Sequence, residues 1–166
     1  MLIALAGLPG AGKSTIARLL AQKLGATHLR IDTIEQTLRA SGMLKADVGP
    51  AGYMIGYALA AENLRNGQTV IADSVNPLQI TRNAWRQVAD RASLTLNEIE
   101  IACSDRHEHR NRIETRHNDI EGLVQPTWQQ VIGRDFHPWD RPPISIDTAG
   151  RAAEDCVADI ISRLRS

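Results

Sequence analysis

Gly7-Leu8-Pro9-Gly10-Ala11-Gly12-Lys13-Ser14-Thr15 fits the pattern G-x-x-x-x-G-K-[ST], with Gly7, Gly12, Lys13 and Ser14 in its four defining places. What flanks this run decides how it folds. Before it, Met1–Ala6 is an apolar stretch the length of one buried strand. After it, Lys13–Leu24 places Ile16, Ala17, Leu19, Leu20 and Leu24 on one face of a helix. A strand, a glycine-rich turn and a helix in that order make a loop whose backbone N–H groups can wrap a polyphosphate. Such a loop needs unusual backbone angles and no side chain in the way, which Gly7, Gly10 and Gly12 permit. The helix then aims unpaired N–H groups and the positive end of its dipole at the anion. Lys13 adds a point charge for the β- and γ-phosphates, and the Ser14 hydroxyl suits Mg²⁺. With Pro9, Ala11 and Thr15 in the remaining places, the run 7–15 is the expected nucleotide-binding element.

The chain has 166 residues, the length of a single domain spanning 1–166 around one core. Its 19 basic and 19 acidic side chains cancel, which speaks against a general nucleic-acid scaffold. Cys103 and Cys156 lie far apart without metal or redox spacing and read as reduced thiols. The five histidines show no metal spacing either, so no structural zinc is expected. No apolar run approaches the ~20 residues of a membrane span. The N-terminal apolar stretch runs straight into the phosphate loop, as a core strand and not a signal. These features predict a cytoplasmic protein without a membrane partner. Oligomeric state stays open.

Along the chain, strand signals at Thr27–Ile31, Thr69–Ala72, Leu94–Ala102 and Ile144–Ile146 alternate with helical ones. The helices are expected at about Thr33–Ala40, Ala51–Arg65, from Pro77, from Arg106 to about His117, Pro126–Phe136 and Ala152–Leu164, with a loop at 41–50. That alternation predicts an α/β fold: a five-stranded parallel sheet with helices on both faces, a three-layer sandwich. Ligands of such sheets sit past the carboxyl ends of the strands. The rule gathers the phosphate loop, Asp32, Asp73, Cys103–Ser104 and Asp147 at one edge.

Asp32 and Asp73 are the two acidic groups at strand ends nearest the expected phosphate site. One is suited to accept a proton from a hydroxyl nucleophile and the other to organise Mg²⁺. Asp73, after Val-Ile-Ala, is assigned to the metal with Ser14, and Asp32 to the proton and the acceptor hydroxyl. The sequence allows the two roles to be exchanged. Arg112 and Arg116 are four apart on the charged helix, and the loop-like 118–125 that follows suggests a small lid over about 104–125. Tyr53, Arg82 and Asp73 are further candidate contacts to substrate. Trp85 reads as core.

The chain resembles the AAA_33-type small P-loop kinases, relatives of chloramphenicol phosphotransferase, zeta toxins and polynucleotide 5′-kinases. Besides 7–15, the resemblance rests on Ile-Asp at 31–32, Val-Ile-Ala-Asp at 70–73, Cys-Ser-Asp at 103–105, His-Arg-Asn-Arg-Ile-Glu-Thr-Arg at 109–116, Pro-Thr-Trp at 126–128 and Ile-Asp-Thr-Ala at 146–149. It implies a P-loop NTPase sandwich, ATP as the nucleotide and Asp32 as the base. It also implies that Arg112 stacks on the adenine, that Arg116 reaches the phosphates, and that the Asp147–Gly150 loop with Thr148 borders the base. One departure stands out: many relatives carry arginine three residues after the strand-two aspartate, where this chain has Glu35. The expectation is therefore an ATP- and Mg²⁺-dependent phosphotransferase acting on a hydroxyl of a small molecule. A 5′-hydroxyl nucleoside or polynucleotide kinase is the second reading, and a nucleotide-binding switch or ATPase the third.

Overall fold

Every residue of β1 (Leu2–Ala6) is buried, because the strand is covered on both faces. Its alternation divides the core. Ile3 and Leu5 join Ile71, Ile99 and Ile101 beneath Ile16, Leu20, Val157 and Ile160, while Leu2 and Ala4 face Ile31, Ala60, Leu64 and Trp85. Burying a side chain of the size of Ile3 or Leu20 contributes roughly 1.5–3 kcal/mol. The two apolar layers therefore hold the sheet between its helices.

The computed structural model describes residues 1–43 and 47–165. The middle of the expected 41–50 loop, residues 44–46, lies outside the described residues. β1, β2 (Thr27–Arg30), β3 (Val70–Asp73), β4 (Leu96–Ala102) and β5 (Ile144–Asp147) form one sheet in the order β2-β3-β1-β4-β5. All its pairings are parallel. Helices α1 (Lys13–Leu24) and α7 (Ala153–Leu164) cover one face. The other face carries α2 (Ile31–Ala40), α3 (Ala51–Arg65) and α4 (Gln79–Arg91). Two short helices, α5 (Arg106–Glu114) and α6 (Trp128–Ile132), pack through Ile113, Trp128 and Val131 against Leu8 of the phosphate loop. The three-layer α/β sandwich matches the expectation. No described helix is long and apolar enough to cross a membrane.

Several boundaries differ from the sequence reading. β2 ends at Arg30, where its register with Asp73 of β3 ends, and α2 starts directly at Ile31. Asp32 is thus the second residue of a helix, where its charge suits the dipole. Left-handed Asn76 (φ +46) delays α4 from Pro77 to Gln79. Helix α5 stops at Glu114, with the Thr115 hydroxyl turned back onto the Asn111 carbonyl at 2.8 Å. Arg116 therefore lies beyond the helix and does not share a helical face with Arg112. Helix α6 is shorter than expected, started by a capping box between Thr127 and Gln130.

Candidate active site

Strand order reverses at β1, which lies between β3 and β4. A cleft opens past the strand ends at such a switch point, and the phosphate loop lies there. Gly7 has φ +142, and a Cβ on it would stand 2.1 Å from the Ile101 carbonyl oxygen of β4. Gly10 has φ +81, and a Cβ there would stand 2.6 Å from Cδ1 of Ile113 on α5. The loop is thus pressed between β4 and α5, with no room for side chains at these two positions. Helix α1 begins at Gly12 with no side-chain cap and no acidic residue in its first turn, which leaves its leading N–H groups to an anion.

The cleft has a volume of about 870 Å³, and Pro9, Gly10, Gly12, Lys13, Ser14 and Thr15 line it. Gly7 and Ala11 stand behind this surface: Gly7 donates its N–H to the Val75 carbonyl at 3.1 Å, and Ala11 is buried. The ammonium of Lys13 donates to the Leu8 carbonyl at 3.0 Å. Burial lowers its pKa to about 8, although the charges of Asp73 and Asp32 pull upward.

Asp73 is 2% exposed, just behind Ser14. Nε2 of His28 lies 3.1 Å from its carboxylate, Nε of Arg30 lies 3.9 Å away, and the Ser14 side chain is hydrogen-bonded to it. Burial alone would raise the carboxyl. The His28 hydrogen bond, the Lys13 charge and the Ser14 hydrogen bond outweigh it and hold Asp73 below the usual carboxylate range. A hydroxyl beside a carboxylate kept anionic is an oxygen donor set that fits a hard cation such as Mg²⁺. This burial sets Asp73 back from the cleft, so the structure does not bring it forward as an acceptor contact.

Asp32 lines the cleft. Its carboxylate makes no hydrogen bond or salt bridge among the described residues, although its charge acts on Lys13 and Arg30. Glu35, one turn on, is committed to Arg39 at 3.3 Å.

Arg112 and Arg116 both line the cleft. The Arg112 guanidinium donates to the Thr148 hydroxyl at 2.8 Å and to the Thr148 carbonyl at 2.9 Å, and pairs with Glu108 at 2.5 Å. The same Thr148 hydroxyl stands 3.0 Å from the Ala11 carbonyl, which joins the loop after β5 to the phosphate loop. Gly150 N–H donates to Glu108 at 2.9 Å, so α5 is stitched to that loop at two points.

Two expected substrate contacts are not brought to the cleft. Arg82 is 0% exposed; its three donor nitrogens reach the carbonyls of Asn76, Pro77 and Pro138, each at 3.2 Å, beneath the Trp139 ring at 3.9 Å. It is a structural cation. The Tyr53 hydroxyl accepts the Asn76 N–H at 3.0 Å and buttresses the turn after β3. Trp85 is core, edge-on to Tyr57 at 4.5 Å.

Sequence reasoning passed over His28, Arg30, His109 and Asp119. His28 and Arg30 are two apart on a strand and so share a face, which is the signal that pointed toward Asp73. Nothing in the sequence places Asp119, 89 residues from Arg30, on that guanidinium.

A parallel sheet switching at β1, a glycine loop and an uncapped helix start together define the fold of a small P-loop kinase. Residues 2–132 match the family model of the AAA domain, AAA_33, and the chain belongs to that family. A protein of Aeropyrum pernix named "Probable adenylyl-sulfate kinase" is 23% identical over 98% of this chain and 91% of its own length. A UPF0200 protein of the same organism is 29% identical over 104 residues, 52% of this chain, and the match spans about half (54%) of that relative. The solved sugar kinase from Janibacter sp. HTCC2649 superposes with a TM-score of 0.73 at 14% identity, over 99% of this chain and 94% of the other. Kti12 of Chaetomium thermophilum, solved in complex with ADP-AlF3, superposes with a TM-score of 0.66 at 20% identity, over 99% and 97%.

Proposed function

We propose that this protein transfers the γ-phosphate of ATP to a hydroxyl of a small molecule. The observation that carries the reading is one cleft holding both the phosphate loop and Asp32, a carboxylate with no hydrogen bond or salt bridge among the described residues. A nucleotide-complexed neighbour and a relative named as a kinase support it. Pro9–Thr15 and Lys13 hold the triphosphate, Arg112 and Thr148 border the base, and Arg116 faces the transferring group. Ser14 and Asp73 would hold Mg²⁺, which would neutralise phosphate charge there. Asp32 takes the proton of the acceptor hydroxyl as its oxygen bonds to the γ-phosphorus. The bond from that phosphorus to the β,γ-bridging oxygen breaks, and ADP leaves. Arg116 and Lys13 balance the charge on the phosphoryl oxygens. A cytoplasmic setting, supplying ATP and keeping Cys103 and Cys156 reduced, fits their state as free thiols.

The test is ADP release with Mg·ATP across a panel of alcohols, sugars, nucleosides and 5′-hydroxyl oligonucleotides. Asp32→Asn keeps ATP affinity and loses roughly 10²–10⁴-fold in acceptor-dependent release, the range of one general base. Hydrolysis that no acceptor accelerates overturns the transfer reading in favour of a nucleotide switch. Near-normal transfer by Asp32→Asn overturns the base.

A further inference from the structure

Arg30 closes β2 with its side chain only 12% exposed, and its two terminal nitrogens donate to the two Asp119 oxygens at 2.6 and 3.1 Å. Asp119 lies on the irregular segment after α5 and is 54% exposed. Both residues line the cleft beside Asp32 and Arg116. The two partners are unequal. Released, the exposed Asp119 returns to water at little cost, whereas Arg30, set into the end of β2 beneath it, loses its paired partner and favours another anion in its place. Its Nε is buried and has no hydrogen bond among the described residues, with the Asp73 carboxylate 3.9 Å away. The planar fork of a guanidinium matches the paired oxygens of a carboxylate or a phosphate. The Arg30 hydrogen bonds hold the Asp119 carboxyl below its usual range, and the Arg116 charge adds to the effect, so a second cation faces the same position. Charge in the cleft leans the same way: among the described residues, six Lys and Arg side chains line it against Asp32 and Asp119. Lys13, Arg112 and Arg116 serve the nucleotide in the reading above, which leaves Arg30 without a task there.

We propose that the acceptor is an alcohol carrying an acidic oxyanion group, carboxylate or phosphate ester, that displaces Asp119 from Arg30. Arg30 is then the specificity residue of the acceptor pocket, and Asp119 is an internal stand-in that keeps the pocket from binding uncharged alcohols in its place. The assignment rests on the phosphotransferase reading for the word acceptor, but the anion subsite does not.

The subsite is tested without turnover. Inorganic phosphate and acetate are titrated into full-length protein saturated with Mg·ADP, so that the phosphate loop is filled. Asp119→Asn, an exposed and mild change, binds at least one of the two probes tenfold or more tighter than wild type. Adding Arg30→Gln to that variant abolishes the gain. Whichever probe gains more identifies carboxylate or phosphate. Equal binding by wild type and Asp119→Asn overturns the proposal even if the double variant does not fold. Turnover with matched pairs, a sugar against its sugar acid and its sugar phosphate, then reads the acceptor. Arg30→Gln raises KM for the acidic member tenfold or more with a smaller change in kcat. Transfer confined to uncharged members overturns the subsite and leaves the kinase standing. Anion binding without transfer to any member keeps the subsite and overturns the kinase.

Discussion

Nε2 of His109 donates to the carbonyl of Pro9 at 2.8 Å, from a buried ring held edge-on against Trp128. Helix α5 thereby fixes the backbone of the phosphate loop from 100 residues away. His109→Ala leaves that carbonyl without its partner and opens a gap beside Trp128. Urea unfolding should show a loss of about 1–3 kcal/mol, together with weaker nucleotide binding. His109→Gln, which can still donate, should recover part of both.

Lys13 carries the pH dependence of nucleotide binding. Its folded pKa is lowered to about 8, so the ammonium is present below that value and is lost as pH rises through it. A bound polyphosphate favours the charged form. The affinity for ATP, followed by calorimetry, should therefore be flat toward neutral pH and fall from about pH 8 upward. Lys13→Ala should bind weakly at every pH, without that slope, and turn nothing over.

Asp73 should make the protein acid-labile. Its folded pKa lies below the unfolded carboxylate value, so it stabilises the fold above the unfolded value. That contribution is lost as pH falls through the depressed one. Asp73→Asn should cost roughly 1.5–3 kcal/mol at pH 7, the worth of hydrogen bonds to a charged group. It should also flatten the acid limb of the stability curve.

Arg82 separates a structural cation from a functional one. Removing a charge that satisfies the carbonyls of Asn76, Pro77 and Pro138 leaves those acceptors buried and unpaired. Arg82→Met should cost about 3 kcal/mol or more in chemical denaturation, at ~1–3 kcal/mol for each buried group left unsatisfied. Any folded fraction should keep the wild-type KM for acceptor.

The phosphate loop was legible because its physics is local. The run 7–15 supplies the positive-φ glycines, the lysine and the hydroxyl from consecutive residues, and the flanking periodicities declare the strand and the helix. The same holds for the sandwich, since alternating apolar strands and amphipathic helices leave few other ways to bury both faces of β1. Charged side chains are another matter. Asp32, Asp73, Arg82 and Arg30 look alike in the sequence: each is a charge at or near a strand end or on a helix. Which of them faces the cleft depends on partners 45 to 89 residues away, as with His28 on Asp73, Pro138 on Arg82 and Asp119 on Arg30. Those distances close only when β2 pairs with β3 and the segments after α5 and α6 fold back over the sheet. The sequence by itself determined which elements form and where the phosphate-loop motif lies. The tertiary structure decided which charges are spent on the protein and which remain for a ligand, because a charge's role is set by its neighbours in space.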